Sequence, residues 1–317
     1  KTQLSEELQN AIANTTRQLR DQQNLQILQT MIGDLSDVLS EISISPEFAL
    51  QLVRLVRDND YELILEFGRS SYTLICLQAL DRFKQHSESR LSLPIRLISF
   101  EHIEKHYNRI YDLVKSCPGS ELLDLRLSPL NDWLFASNTY KFYTGTECIK
   151  ESFDFAANTG KLPIKVLVLI NGLPAENCSL SRYPVIPIVL DAASGLNITI
   201  DFLLENFASV EAQEVALAWE QQLEIQSLNY NRINYDFDVP CLLLKVNSLI
   251  ETDASLLSSQ FLVSEKQDQK KILNAFNSVD QLLAEIENVK QSVSLKDNQT
   301  QKVVEELRKQ LEVNGAE

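Results

Sequence analysis

The sequence predicts a mixed, helix-dominated α+β protein, with long amphipathic or coiled-coil helices at both ends around a central region of short buried strands. Three observations lead there. Apolar residues step by threes and fours through the first 43 residues. The same stepping returns beyond Lys266. Between them, from Leu162 to about Val246, short Val- and Ile-rich runs are punctuated by Pro and Gly. Period 3.6 marks helices, and short β-branched runs closed by breakers mark strands.

In the first segment Leu4, Leu8, Ala11 or Ile12, Thr15 and Leu19 form one series, and Leu28, Met31, Leu35, Val38 and Ile42 a second. The polar Asp21-Gln22-Gln23-Asn24 separates them. Such a 3–4 alternation is the seam of a coiled coil or helical hairpin, assigned to residues 1–43. Ser45-Pro46-Glu47 then starts a helix: Ser as N-cap, Pro at the first helical position, an acid in the first turn. Phe48, Leu52, Leu55 and Val56 share its face, and Asp58-Asn59-Asp60 ends it. Tyr61 to Phe67 and Tyr72 to Leu80 each read as strand or helix. After Pro94, Ile98, His102 or Ile103, Tyr107, Ile110 or Tyr111 and Val114 fall on one helical face, stopped by Cys117-Pro118-Gly119-Ser120. Residues 44–160 are therefore expected to form a mainly helical domain.

Residues 161–262 are expected to be an α/β domain. Its strands are Ile164–Ile170, Val185–Leu190, Leu196–Leu204 and Val239–Val246, with a helix around Trp219. Residues 263–317 complete the chain as a C-terminal coiled coil. Its seam is Ile272, Phe276, Val279, Leu283 and Ile286, resumed at Val304, Leu307 and Leu311 after a polar break. Together with Leu35 and Val38, these eight residues are the candidate partner-binding residues, contacting protein subunits through helical seams.

The chain has 317 residues and a formal charge of −15. That balance weighs against nucleic acid, whose phosphates call for Lys and Arg, so no nucleic-acid partner is expected. No apolar run approaches the length of a membrane span, and the first residues contain no signal-peptide core. With Lys1 rather than Met at its start, the chain reads as a fragment or processed product. The cysteines Cys76, Cys117, Cys148, Cys178 and Cys241 are widely spaced and mostly in apolar surroundings, as reduced thiols in a core would be. The expected location is cytoplasmic or nuclear.

The search for chemistry yields little. His102 and His106 lie four apart, but Glu104 does not complete His-Glu-x-x-His. A solvated polar face is the expectation, and no catalytic, cofactor or metal residue is assigned. Neither G-x-G-x-x-G nor a phosphate-binding G-x-x-x-x-G-K-[ST] occurs, and glycine is scarce at 8 residues. The aromatic cluster Trp133, Phe135, Tyr140, Phe142 and Tyr143 has one cation, Lys141, within it and reads as core.

Two resemblances bear on function. Leu35, Val38, Leu39 and Ile42, then Pro46, Phe48 and Leu52, then Asp58-Asn59-Asp60-Tyr61, are similar to the start of helical-rod subunits of vesicle-tethering complexes such as the exocyst and the conserved oligomeric Golgi complex. That resemblance covers the N-terminal third and implies a non-catalytic scaffold of stacked helices. Val239 to Ser248 resembles the small-GTPase strand that precedes the guanine-reading motif. Leu249-Ile250-Glu251 follows it without Asn-Lys-x-Asp, which implies a nucleotide-free relative. The expected function is a non-catalytic interaction subunit of a larger intracellular assembly, not an enzyme and without cofactor. The alternative is a GTPase-like or other α/β-fold protein, or an enzyme with an unrecognised site, in the central region.

Overall fold

A computed structural model describes residues 2–34, 44–68, 72–84, 96–135, 138–159, 162–172 and 180–247. Within them a helix, α1 (Thr2–Ile32), leads into α2 (Pro46–Asn59). Next come β1 (Leu63–Phe67), α3 (Thr73–Lys84), β2 (Leu97–Glu101), α4 (Glu104–Val114) and β3 (Leu123–Leu127). A hairpin of β4 (Leu130–Phe135) and β5 (Asn138–Tyr143) precedes α5 (Glu147–Thr159). The chain continues through β6 (Ile164–Ile170), α6 (Val185–Ala192), β7 (Ile198–Leu204), α7 (Val210–Ile225), β8 (Tyr230–Tyr235) and β9 (Cys241–Val246).

Seven of the strands form one sheet in the order β3-β2-β1-β6-β7-β9-β8. β3, β2, β1, β6 and β7 are mutually parallel, and β9 runs antiparallel between β7 and β8. Parallel strands need long crossovers, which put helices on both faces and bury every residue of a central strand. β1 and β2 are buried at all five positions. Alternate residues feed two cores. Leu63, Leu65, Phe67, Phe100, Val166 and Val168 meet α5, α6 and α7, while Ile64, Leu97, Leu167 and Leu169 meet the helices from α1 to α4.

This doubly wound α/β architecture replaces the expected helix-dominated α+β one. β1, from the stretch read as a helical domain, pairs with β6, from the stretch read as the α/β domain, in one continuous sheet. Leu97–Glu101 was expected to be helical and is a strand, because a strand buried on both faces shows no period-2 alternation. Val185–Leu190 was expected to be a strand and lies in the helix Val185–Ala192, buried nearly all round. The similarity to helical rods fails with β1 and β2, since a scaffold of stacked helices has no central parallel sheet. Asp58-Asn59-Asp60-Tyr61 is instead the turn from α2 into β1, with Asp60 in the left-handed conformation at φ 54°.

Local signals explain several elements. Ser45 caps α2 by accepting from the Phe48 N–H, with Pro46 at its first position, and Ser209 caps α7 through the Ala212 N–H. α1 is one helix through the polar Asp21–Asn24 segment. Its end does not serve a partner chain: Leu28 and Ile32 are buried with Phe48, Leu52 and Tyr72 of the same domain. Arg17 and Arg20 pair with Asp238, and Arg20 also with Glu47. The scaffold and coiled-coil reading is thus corrected here by intramolecular docking. The candidate partner residues Leu35, Val38, Ile272, Phe276, Val279, Leu283, Ile286, Val304, Leu307 and Leu311 lie outside the described residues, as does the expected C-terminal coiled coil. No helix among the described residues is long and apolar enough to cross a membrane.

Candidate cofactor site at the switch point of the sheet

The chain winds from β1 outward to β2 and β3, then returns to place β6 on the other side of β1. In open α/β sheets such a reversal leaves a crevice beyond the carboxyl ends of the strands, where ligands bind. Phe67 is in register with both Phe100 and Ile170, so the residues that follow, Gly68, Glu101 and Asn171, come together there.

Gly68 makes the junction possible. Its φ is +150°, and a Cβ on it would lie 2.0 Å from Asn171 Oδ1 and 2.3 Å from the Gly172 nitrogen. No side chain fits, so β1 and β6 can approach only through glycine. Beneath it Glu66 is fully buried. Its Oε1 accepts from the Tyr72 N–H at 3.3 Å and from Asn171 Nδ2 at 3.2 Å. Its Oε2 meets the hydroxyls of Thr73 at 2.5 Å and Ser99 at 2.9 Å. Burial raises the Glu66 pKa, and these four hydrogen bonds pull against that rise.

Glu101 ends β2. Its Oε1 accepts from the Ile103 N–H at 2.8 Å, and its two oxygens lie 3.6 Å from His102 Nδ1 and 3.8 Å from His106 Nδ1. The two histidines therefore flank a carboxylate, the His102 side chain 15% exposed and that of His106 40%. Burial, and then His106, hold the His102 pKa below its usual value. Among the described residues no group of three His, Cys, Asp or Glu side chains could hold a metal ion.

On the β6–β7 side, Arg182 ties two strand ends together. Its Nε donates to the Gly172 carbonyl at 3.0 Å and its Nη1 to the Glu205 carbonyl at 3.4 Å. Tyr72 donates to Glu205 Oε1 at 2.5 Å. The hairpin forms a wall. Tyr143 packs against Phe67 and Phe100, with ring centroids 5.8 and 6.0 Å away, and Trp133 stacks on Phe135 at 5.1 Å. The aromatic cluster is core, as expected, yet it is the core of a wall beside the crevice.

None of Glu66, Gly68, Glu101 and Asn171 was anticipated from the sequence. A usable signal was present: an apolar run ending Glu66-Phe67-Gly68, and a second ending at Glu101 before a helix.

No protein-family model matches the sequence, and no curated protein matches it. Among solved structures, the chain is similar to the O-methyltransferase from Bacillus cereus in complex with SAH, with a TM-score of 0.41 and 13% identity over 72% of this chain and 90% of that one. It is similar to the human methyltransferase 10 domain containing protein, with a TM-score of 0.40 and 9% identity over 72% and 96%. A third is a protein of Pyrococcus horikoshii described as an RNA methyltransferase, with a TM-score of 0.39 and 8% identity over 74% and 98%.

The functional expectations are corrected accordingly. A doubly wound sheet with a crevice at its switch point stands where a scaffold of stacked helices was expected. The structures named above are described as methyltransferases, whereas a protein that is not an enzyme was expected. One of them is described as an RNA methyltransferase, whereas no nucleic-acid partner was expected for this chain. Protein subunits held through helical seams have no counterpart among the described residues.

Proposed function

We propose that this chain is an enzyme that binds S-adenosylmethionine at the carboxyl ends of β1, β2 and β6 and transfers its methyl group. The observation that carries the reading is Glu101, a carboxylate at the end of β2 beside the glycine-tipped end of β1. In doubly wound folds an acid placed there accepts hydrogen bonds from ribose hydroxyls.

The lining distinguishes among nucleoside cofactors. A dinucleotide or nucleoside triphosphate needs free amides at the start of the helix after β1 to receive its phosphates. Here the Tyr72 N–H and the Thr73 hydroxyl at that helix start are already bound to the Glu66 carboxyl. Gly68 is the sole glycine between β1 and α3. Glu66, Glu101 and Glu205 at the strand ends add carboxyl groups that disfavour polyanions. S-adenosylmethionine fits where a phosphate does not: it has no phosphate, and its sulfonium and ammonium are cationic. Gly68 keeps the strand ends close, Glu101 takes the ribose, and Glu66 fixes the helix start. Bound there, the cofactor supplies an electrophilic methyl group on sulfur.

The test is calorimetric titration of the whole chain with S-adenosylmethionine, S-adenosylhomocysteine, NAD and ATP. Micromolar binding of the first two is expected. Glu101→Ala should weaken it roughly 10- to 100-fold, the scale of a lost charge-assisted hydrogen bond. Tighter binding of NAD or ATP, or no binding of either adenosyl compound, overturns the reading. Free buried thiols at Cys76, Cys148 and Cys241 support placing the protein in a reducing compartment, cytoplasm or nucleus.

A further inference from the structure

We infer that Tyr143, from the hairpin inserted after β3, is a second ligand-binding residue whose hydroxyl contacts the ribose of the bound adenosyl cofactor. The inference rests on the cofactor reading above and assigns it a residue that the sheet itself does not supply.

Tyr143 is 4% exposed, and its hydroxyl makes no hydrogen bond among the described residues. Buried polar atoms are almost always partnered, so an orphan of this kind marks a place where a partner arrives from outside. The ring has no need of a hydroxyl in order to pack. It sits against Phe67 and Phe100, and edge-on to Phe142 at 5.3 Å and His102 at 5.8 Å. A phenylalanine would fill the same space.

The position of the ring follows from its contacts with Phe67 at the end of β1, Phe100 near the end of β2, and His102. The charged groups acting on its hydroxyl are Glu101 first, then Glu66 and Arg182, which are the three groups that frame the switch-point crevice. Phe67 and Phe100 immediately precede Gly68 and Glu101. Tyr143 therefore stands over the carboxyl ends of β1 and β2, where the acid assigned to the ribose lies. Among the groups of an adenosyl cofactor, the vicinal hydroxyls are those that both donate and accept. A carboxylate takes their protons, and a phenol can donate to the oxygen that remains. Tyr143 shares one face of the hairpin with its cross-strand neighbour Leu130. The opposite face carries Trp133, Tyr140 and Phe142, and both faces are packed in the same core.

The experiment compares the whole chain with Tyr143→Phe by calorimetric titration, using S-adenosylhomocysteine and 5′-methylthioadenosine, and by melting with and without each ligand. Wild type should bind both compounds. Tyr143→Phe should weaken both by the same factor, roughly three- to tenfold for one neutral hydrogen bond. Without ligand it should melt at or above the wild-type temperature, because it loses an unpaired buried hydroxyl and no contact. Equal affinities for the two proteins overturn the role of Tyr143 and leave the cofactor reading standing. A loss confined to S-adenosylhomocysteine moves the contact to the amino-acid end and overturns the ribose assignment. A lower melting temperature of the unliganded variant shows an internal role and overturns the inference. Failure of wild type to bind either compound overturns the cofactor reading itself.

Discussion

Asn171 Nδ2 donates to Glu66 Oε1 at 3.2 Å, and this bond joins the end of β6 to β1 where the winding of the sheet reverses. It also fixes the orientation of the amide, since the nitrogen must face the carboxyl. Oδ1 then lies over Gly68, where a Cβ would come within 2.0 Å. Glutamate, asparagine and glycine thus constrain one another, and the first two predictions concern that arrangement.

Glu66→Gln should fold. Oε1 faces two N–H donors that cannot reverse, from Tyr72 and Asn171, and a Gln carbonyl serves both. Oε2 faces only the hydroxyls of Thr73 and Ser99, which can accept from a Gln NH2. Glu66→Ala strands these donors in the core and should cost about 3 kcal/mol or more. A pH dependence follows as well. Burial raises the folded pKa of Glu66 above its ordinary value. Its contribution to stability is therefore fully present below the unfolded pKa and is lost as pH rises through the folded one. Thermal melting of Glu66→Gln should fall less with rising pH than that of wild type. Parallel melting curves for the two proteins across pH 4 to 8 would count against this.

Gly68→Ala should be destabilising by about 2–4 kcal/mol, combining an unfavourable φ with overpacking against β6. The methyl group would meet Asn171 Oδ1, whose amide is held by Glu66, and the backbone of Gly172. Chemical denaturation measures the loss. A stable Gly68→Ala protein would show that the β1–β6 junction is looser than these distances imply.

How much of this was legible in the sequence depends on the element. The α2 start at Ser45-Pro46-Glu47 was plain, because capping is local chemistry. β6, β7 and β9 were readable as β-branched runs between breakers. Leu97–Glu101 was not, because a strand buried on both faces carries no alternation and Ile98, His102 and Val114 mimic a helical face. Val185–Leu190 misled in the other direction, since a helix buried nearly all round loses its polar stripe. The site escaped for a different reason. Its residues are single positions at the ends of β1, β2 and β6, brought together by sheet order and not by spacing. Leu28 showed the helical seam correctly, but the sequence could not say that α2, rather than another chain, would cover it.

Thiol reactivity offers an independent check on the packing. Cys76 is fully buried, and burial raises its pKa well above the usual thiol value. Burial likewise pushes Cys148 up to about 11 and Cys241 up to about 12. Thiolate is the reactive form, so at pH 8 all three should resist iodoacetamide in the native protein and react once it is unfolded. Peptide mapping by mass spectrometry reads this residue by residue. Rapid native labelling of Cys241 would contradict its complete burial.

The last prediction separates a docked helix from a projecting one. In α1, Leu28 is fully buried, whereas Ile12 is 58% and Leu19 57% exposed. If the C-terminal part of the helix is held by α2 and α3 of its own domain, Leu28→Ala removes core contacts and should cost about 2–5 kcal/mol. Ile12→Ser and Leu19→Ser should each stay within roughly 0.5 kcal/mol. The ion pairs of Arg17 and Arg20 with Asp238 are half exposed on the arginine side, so Asp238→Asn should cost less than about 1 kcal/mol, and less still at high salt. Urea denaturation of the four variants decides the matter. A large loss at Ile12 or Leu19 that grows with protein concentration would instead place those residues in a contact between chains.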